Sequence, residues 1–539
     1  MRLSTSAHVD TFCRDNLPPA EQWPEFRFDL LPEVDYPERL NCATELVDAV
    51  AARLGGDRPC LVSPDGSTWS YSQLQARANQ VAHCLTTDHG LVPGNRVLLR
   101  GPNNPWLVAA WFGVLKAGCV VVATMALLRP KELRDVYEIA QLDLAICDHR
   151  FAGDLLTAAG DSPVLLYGGD DADDLTRQVA GHATEFPDVA TAADDVAMLA
   201  FTSGTTGRPK ATMHFHRDVL AIADTFSRHI LKPTADDVFV GTPPLAFTFG
   251  LGGLVVFPLR VGASTLLVEK ATPDELAELI ERHRVTVCFT APTGYRAMVA
   301  SGKASTLTTL RCGVSAGEHL PAETWQAFKD AAGVELIDGI GSTEMLHIFL
   351  SAAGGEIRPG STGTAVPGYV VNVVDADGDP VPDGELGRLA VQGPTGCRYL
   401  ADLRQSVYVQ NGWNFTGDIF TRDGDGYFWY QARSDDMIVS SGYNIAGPEV
   451  EEALLRHAGV VECAVVGVPD EQRGQLVKAY VVLSHGATPG DAMVKELQDF
   501  VKQQIAPYKY PRSVEFTDAL PRTSTGKVQR YALRRQAPA

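Results

Sequence analysis

Apolar and polar positions along most of the chain switch between two periods, one helical and one of short apolar runs. Thr272-Pro273-Asp274-Glu275 has the spacing of a capping box with proline at the first helical position, and Leu276, Leu279 and Ile280 follow on one face. Val285–Phe289 then reads as a strand. The same rhythm appears in Val196–Phe201, a strand, followed by Asp218–Leu231, a helix. Alternation of this kind predicts α/β layers with largely parallel sheets. Between about 360 and 430 the pattern changes. Tyr369–Val374 and Gly387–Val391 are short β-rich runs punctuated by Asp377-Gly-Asp-Pro380 and Asp423-Gly-Asp-Gly426 turns, which predicts an antiparallel sheet or small barrel. After Arg433 come a helix over Pro448–His457, strands over Val460–Val468 and Val477–Leu483, and a helix over Asp491–Ile505. The expected fold is α/β, with a large N-terminal domain (1–433) of layered α/β subdomains plus a small β-barrel-like part. A small C-terminal α+β domain (434–539) completes it. A body with a small cap commonly holds its ligand in a cleft.

Composition adds exclusions. At 45% hydrophobic and 21% charged the chain is not a disordered one. Its 46 basic against 66 acidic residues leave a formal charge of −20, so it offers no general attraction to nucleic acid or to an anionic membrane. The last stretch, Lys509 to Arg535, is locally basic and suits a unit that handles anions. The 10 cysteines are scattered without a Cys-x-x-Cys, which reads as core thiols in a reducing compartment. Met1–Asp10 lacks the apolar region of a secretory signal, and the apolar run Ala117–Leu128 falls well short of the about 20 residues a membrane span needs. The expected location is the cytoplasm.

The sharpest local signal is Phe201-Thr-Ser-Gly-Thr-Thr-Gly-Arg-Pro-Lys210, which follows a strand. Hydroxyls and backbone N–H groups of such a loop can both meet phosphate oxygens, and Lys210 adds charge. It is not a Walker A loop, because Pro209 precedes the lysine and Ala211 stands where Ser or Thr would hold magnesium. Four further segments follow: Asp338-Gly-Ile-Gly-Ser-Thr-Glu344, Phe415-Thr-Gly-Asp418, Ala432-Arg-Ser-Asp-Asp436 and Pro521-Arg-Thr-Ser-Thr-Gly-Lys527.

In this order and at these distances the five segments resemble the adenylate-forming superfamily of acyl- and aryl-CoA synthetases, luciferases and peptide-synthetase adenylation domains. Gly341–Phe349, Ser441–Glu449 and the opening Asp15–Pro19 with Tyr36–Asn41 look most similar to benzoate and 2-aminobenzoate (anthranilate) CoA ligases. The resemblance implies ATP, Mg²⁺ and coenzyme A as co-substrates. It places Thr202, Ser203, Gly204, Thr205, Thr206 and Lys210 on the β- and γ-phosphates, Thr343 on the α-phosphate and Glu344 on magnesium. Asp418 would accept both ribose hydroxyls, with Arg433 adding a sugar or phosphate contact. Ser315, Gly317 and Glu318, with Asp338, Gly339 and Gly341, would frame the adenine. Lys527 would bridge the substrate carboxylate and the α-phosphate, as catalytic residue of adenylation alongside Thr343 and Glu344. The small domain is implied to be mobile, pivoting at Asp435 between half-reactions, with Gly442 and Tyr443 on the CoA side. Val439 stands where benzoate-type relatives tend to carry lysine, which favours the 2-aminobenzoate-like branch.

The acyl pocket is expected from Ala246–Gly252 and the residues after Glu344. Phe247 and Phe249 offer flat walls for a ring, and Gly250 lets the backbone close on it. Both rings also fit a plain core. For His347 two roles stand open, a hydrogen bond to the substrate or a satisfied core histidine. His214 and His216 read as structural. The expected activity is an AMP-forming aryl-CoA ligase acting on a 2-aminobenzoate- or benzoate-type acid. The alternative is a medium-chain fatty acyl-CoA synthetase or another adenylating enzyme. Whether the chain forms a homodimer is not legible.

Overall fold

The computed structural model describes residues 3–202, 208–434, 436–440, 443–470, 473–505, 507–522 and 527–536. The chain divides into two compact units: Met1–Val371 with Val391–Asn414, and Asn372–Ala390 with Phe415–Ala539.

The first unit is layered α/β, as the alternation predicts. In one sheet Leu336–Gly341, Cys312–Ser315, Val287–Thr290, Val238–Gly241, Ser264–Leu266 and Pro59–Val62 run parallel in that order. Antiparallel strands close both ends. A second sheet carries Val164–Tyr167, Leu144–Asp148, Arg96–Arg100, Val120–Thr124 and Val196–Thr202 in parallel, then Lys210–Phe215 antiparallel. Residues of the apolar run after Lys116 are the fully buried Val120, Val121 and Val122. No described helix is long and apolar enough to cross a membrane. The capping box at Thr272 forms: its hydroxyl accepts from the Glu275 N–H (3.3 Å) and its own N–H donates to the Glu275 carboxylate (2.8 Å). The helix expected over Asp218–Leu231 is α-helical at His216–Ile222 and continues as wider π-helical turns over Ala223–Leu231.

The second unit holds most of the antiparallel sheet expected between 360 and 430, whose strands are Val370–Val374, Gly387–Gln392, Trp413–Arg422 and Phe428–Arg433. It also holds the C-terminal α+β part. There Val460–Asp470 and Gly474–Leu483 form a long hairpin covered by the helices Gly447–Leu455 and Asp491–Gln504, whose Val450, Leu454, Leu497 and Val501 meet Val465, Val477 and Val481.

All ten cysteines are free and buried. Cys84, Asp88 and His182 bring ligand-type atoms within 4.8 Å of one another, a grouping that sequence spacing hides, but burial pushes the Cys84 thiol up to about 12 and keeps it protonated.

Charges also lie inside. Lys116 is fully buried between Asp48 (2.5 Å) and Asp188 (3.0 Å). Lys116→Met would leave two facing carboxylates uncompensated, so a loss of about 3–5 kcal/mol in denaturant unfolding is expected, and a loss under 1 kcal/mol would refute that account. His216 is fully buried, and burial drives its imidazole down to about 3. A depressed imidazole stays neutral in the folded chain and titrates normally when unfolded. Its contribution is therefore intact above about pH 6.5 and falls as pH drops toward 3, by at most about 1.4 kcal/mol per pH unit. Unfolding curves at pH 7.5 and 5.5 should show a smaller acid loss for His216→Gln than for the wild type.

Candidate active site

The expected adenine-side residues lie at the C-terminal ends of parallel strands, where open α/β sheets hold ligands. Thr290, Ser315 and Asp338 are side by side in register. The Ser315 hydroxyl and one Asp338 carboxylate oxygen are buried without a hydrogen-bond partner, and burial pushes the Asp338 carboxyl well above the usual range. Gly317 follows in a left-handed turn (φ 91°) beside the half-buried Glu318. Gly339 and Gly341 end the strand Leu336–Gly341. A Cβ on Gly341 would stand 2.5 Å from the His347 carbonyl oxygen, so only glycine lets the chain fold back there.

Thr202 and Lys210 are register partners across the hairpin that carries the Thr/Ser/Gly loop. Ser203, Gly204, Thr205 and Thr206 lie outside the described residues. The Lys210 ammonium pairs with the Glu344 carboxylate at 3.0 Å, and the Tyr399 hydroxyl joins both, donating to Glu344 at 2.5 Å and accepting from Lys210. Burial raises the Glu344 carboxyl, but the Lys210 charge and the Tyr399 hydroxyl outweigh it and hold it below its ordinary value. Glu344 is thus an anion at neutral pH. The Thr343 carbonyl accepts a hydrogen bond from His214 Nε2 (2.8 Å). His214 in turn lies 3.8 Å from Asp218, which is paired with the fully buried Arg398. Leu346, buried two residues after Glu344, has φ 68°, a left-handed backbone that a bulky side chain rarely adopts. Tyr399, Arg398 and the structural reach of His214 are absent from the motif reading.

In the second unit, Asp418 and Arg433 are register partners on adjacent strands. Arg433 Nη1 donates to the Thr416 carbonyl (2.8 Å) and to Asp418 (3.2 Å). Burial raises the Asp418 carboxyl, against the pull of Arg433, Thr416 and the Lys527 charge. Lys527 is exposed beside a bridge joining Arg522 and Val528. The helix Arg530–Gln536 that follows is tied by Arg530 to Glu451 (2.8 Å) and by Arg534 to Asp436 (2.5 Å). Tyr443 is exposed and stacks on Tyr508 at 4.5 Å. Asp435 and Gly442 lie outside the described residues.

His347 is buried, and its ring is enclosed by Phe257 (4.5 Å), Phe226 (5.5 Å) and Phe249 (5.7 Å). Phe249 also meets Phe289 at 5.4 Å. Neither ring nitrogen of His347 makes a well-aligned hydrogen bond, the Phe249 backbone offering only a poorly aligned one, and burial drives the imidazole down to about 3. The histidine is therefore a neutral polar group among aromatic rings. Phe247 caps the short helix Thr248–Leu251, on which Gly250 is buried. That Phe226, Phe257 and Phe289 would gather near His347 and Phe249 was not legible, since each lies on a different element. A Cβ on Gly252 would stand 2.3 Å from His347 Cδ2 and 3.1 Å from Phe257. Gly252→Ala should therefore cost about 1–3 kcal/mol of stability and displace the imidazole. A variant melting like the wild type and binding its acid as tightly would refute that packing.

Comparison with known proteins agrees with this geometry. The AMP-binding enzyme model matches residues 47–399 and the AMP-binding enzyme C-terminal domain model matches residues 449–527. The chain is 35% identical to a benzoate–CoA ligase of Thauera aromatica, over 93% of this chain and 97% of that protein. It is 33% identical to a 3-hydroxybenzoate–CoA ligase of Aromatoleum sp. (strain CIB), over 92% and 96%. Among solved structures, the anthranilate CoA ligase AuaEII in complex with anthranoyl-AMP superimposes with a TM-score of 0.88 at 34% identity, covering 94% of this chain and 98% of that one. With a buried anionic glutamate beside a lysine-bearing hairpin and both family domains in order, the chain belongs to the AMP-binding enzyme family, as an AMP-forming acid–thiol ligase.

Proposed function

We propose that this chain converts an aromatic carboxylate of the 2-aminobenzoate or benzoate type to its CoA thioester through an acyl-adenylate, releasing AMP and pyrophosphate. The observation that carries the aromatic reading is the box of Phe226, Phe249 and Phe257 around the neutral His347. Flat apolar walls favour a ring, and one buried polar group without a well-aligned partner favours a ring bearing a hydrogen-bonding group. An amino substituent would supply it. The similarity to the anthranilate ligase supports the same choice.

In the first half-reaction a carboxylate oxygen attacks the α-phosphorus of ATP, the bond to the β-phosphate breaks, and pyrophosphate departs. Two anions must approach, so fixed cations carry much of the catalysis. Lys210 and the loop from Thr202 meet the β- and γ-phosphates. Lys527 neutralises the carboxylate and α-phosphate together. Asp418, held by Arg433, accepts the ribose hydroxyls. Glu344, an anionic carboxylate next to the Thr343 hydroxyl, is a hard oxygen donor set that fits Mg²⁺, which when bound would screen the phosphate charge. In the second half-reaction the CoA thiol attacks the acyl carbonyl and AMP leaves. Residues 434–539 carry Lys527 in the first step and, after a pivot at Asp435, turn Gly442 and Tyr443 to CoA in the second. The setting is the cytoplasm, where ATP and CoA are at hand.

Purified protein with ATP, Mg²⁺ and CoA should release AMP fastest with 2-aminobenzoate or benzoate and slowly with medium-chain fatty acids. An alkyl preference would overturn the pocket assignment while leaving adenylation standing. Lys527→Ala should lose at least about 3–4 kcal/mol of transition-state stabilisation in acyl-adenylate formation. It should spare thioester formation from supplied acyl-adenylate, and equal loss of both steps would refute the role.

A further inference from the structure

The Lys210–Glu344 pair has a third member that no motif marks. Tyr399 is fully buried, and its backbone is fixed against the strand that begins at Lys210. Leu400 N–H donates to the Ala211 carbonyl (2.9 Å), Met213 N–H to the Arg398 carbonyl (2.7 Å), and Tyr399 N–H to the Gln405 side chain (2.8 Å). Gln405 is itself buried and bonded to the Gln22 and Cys397 carbonyls. The hydroxyl therefore projects from rigid backbone, whereas Lys210 reaches the same point on a flexible stem. The Lys210 ammonium also lies 4.3 Å above the Tyr399 ring, a second attraction to the same residue.

One hydroxyl can donate once and accept more than once. Here its proton goes to Glu344 and its lone pairs face Lys210. We propose that Tyr399 is a positioning residue for the nucleotide-and-magnesium site: it holds Glu344 in place while Lys210 leaves that carboxylate for the ATP phosphates. The proposal rests on the reading that Lys210 and Glu344 meet MgATP. Lysine and glutamate compensate each other in a nearly closed setting, with side-chain exposures of 17% and 8%. When MgATP enters, that pair has to open, and a carboxylate losing its one cationic partner among the described residues would be free to turn. The hydrogen bond from Tyr399 is the contact that does not have to break. Both Lys210 and Tyr399 engage the same oxygen, Oε1, of that carboxylate.

Tyr399→Phe removes one oxygen and keeps the ring, including its edge contact with Tyr408 at 5.9 Å, so the fold should survive and thermal melting can verify it. Titration calorimetry of ATP in the presence of Mg²⁺, without acid or CoA, should show Tyr399→Phe binding about tenfold or more weakly than wild type. The Mg²⁺ concentration giving half-maximal ATP binding should rise, and in turnover the KM for ATP should rise while that for the aromatic acid stays put. Lys210→Ala and Glu344→Gln serve as reference. If both lose MgATP affinity while Tyr399→Phe binds with wild-type affinity and Mg²⁺ dependence, Tyr399 is only packing and the proposal is overturned. If neither reference variant loses affinity, the assignment of the pair to MgATP fails instead. If Tyr399→Phe melts early, calorimetry on Gln405→Ala, which frees the Tyr399 backbone without touching its hydroxyl, should give the same loss with a rise in the Mg²⁺ requirement. Wild-type binding there overturns the proposal.

Discussion

The site in the first unit depends on a charge that water never reaches. Arg398 is fully buried, and a buried guanidinium without a counter-ion costs several kcal/mol, so its place is set by Asp218 as firmly as by any apolar contact. Asp218 also accepts the Phe215 N–H (2.9 Å) at the turn from strand to helix. Arg398 stacks over the Phe215 ring at 3.9 Å and donates through Nε to the Met213 carbonyl (3.2 Å). One ion pair thereby welds residues 398–400 to the strand of Lys210 and to the helix after it. Tyr399 follows Arg398 directly, and His214, next to Asp218 in space, bonds the Thr343 carbonyl. Moving the pair would move the lysine, the glutamate and the tyrosine together.

What could be read beforehand divides by distance along the chain. The capping box at Thr272, the strand leading into the Thr/Ser/Gly loop and the C-terminal helices were legible because their causes are local: a cap, a period, a turn residue. Lys210 and Glu344 were legible as motif residues, but not as a pair. Tyr399 lies 189 positions from Lys210 and 55 from Glu344, and nothing about its neighbours in sequence distinguishes it from a core tyrosine. Nothing in the sequence marks Lys116 as buried and paired, since its partners Asp48 and Asp188 come from remote segments. His347 was undecided between pocket and core. Its aromatic surroundings become visible only once phenylalanines from separate elements enclose it.

The two units show a division of electrostatic labour. In the first, Lys210 and Glu344 are balanced against each other at close range. In the second, Asp418 is paired with Arg433, and the Lys527 charge also acts on its carboxyl from an exposed position. That fits a chain whose overall charge is strongly negative yet whose proposed substrates are all anions: attraction has to be concentrated at a few points because the surface at large does not supply it.

The left-handed turn at Leu346 separates two neighbours that would otherwise share an environment. Glu344 faces lysine and tyrosine hydroxyl, while His347, three residues on, faces phenylalanine rings. The strained residue between them acts as a corner post. Because the corner is backbone, it insulates the phosphate chemistry from whatever happens in the aromatic box. Under the proposed function, residues 226, 249 and 257 could change with the acid while the phosphate chemistry stays as it is, and the locally costly backbone at Leu346 is what holds the two apart.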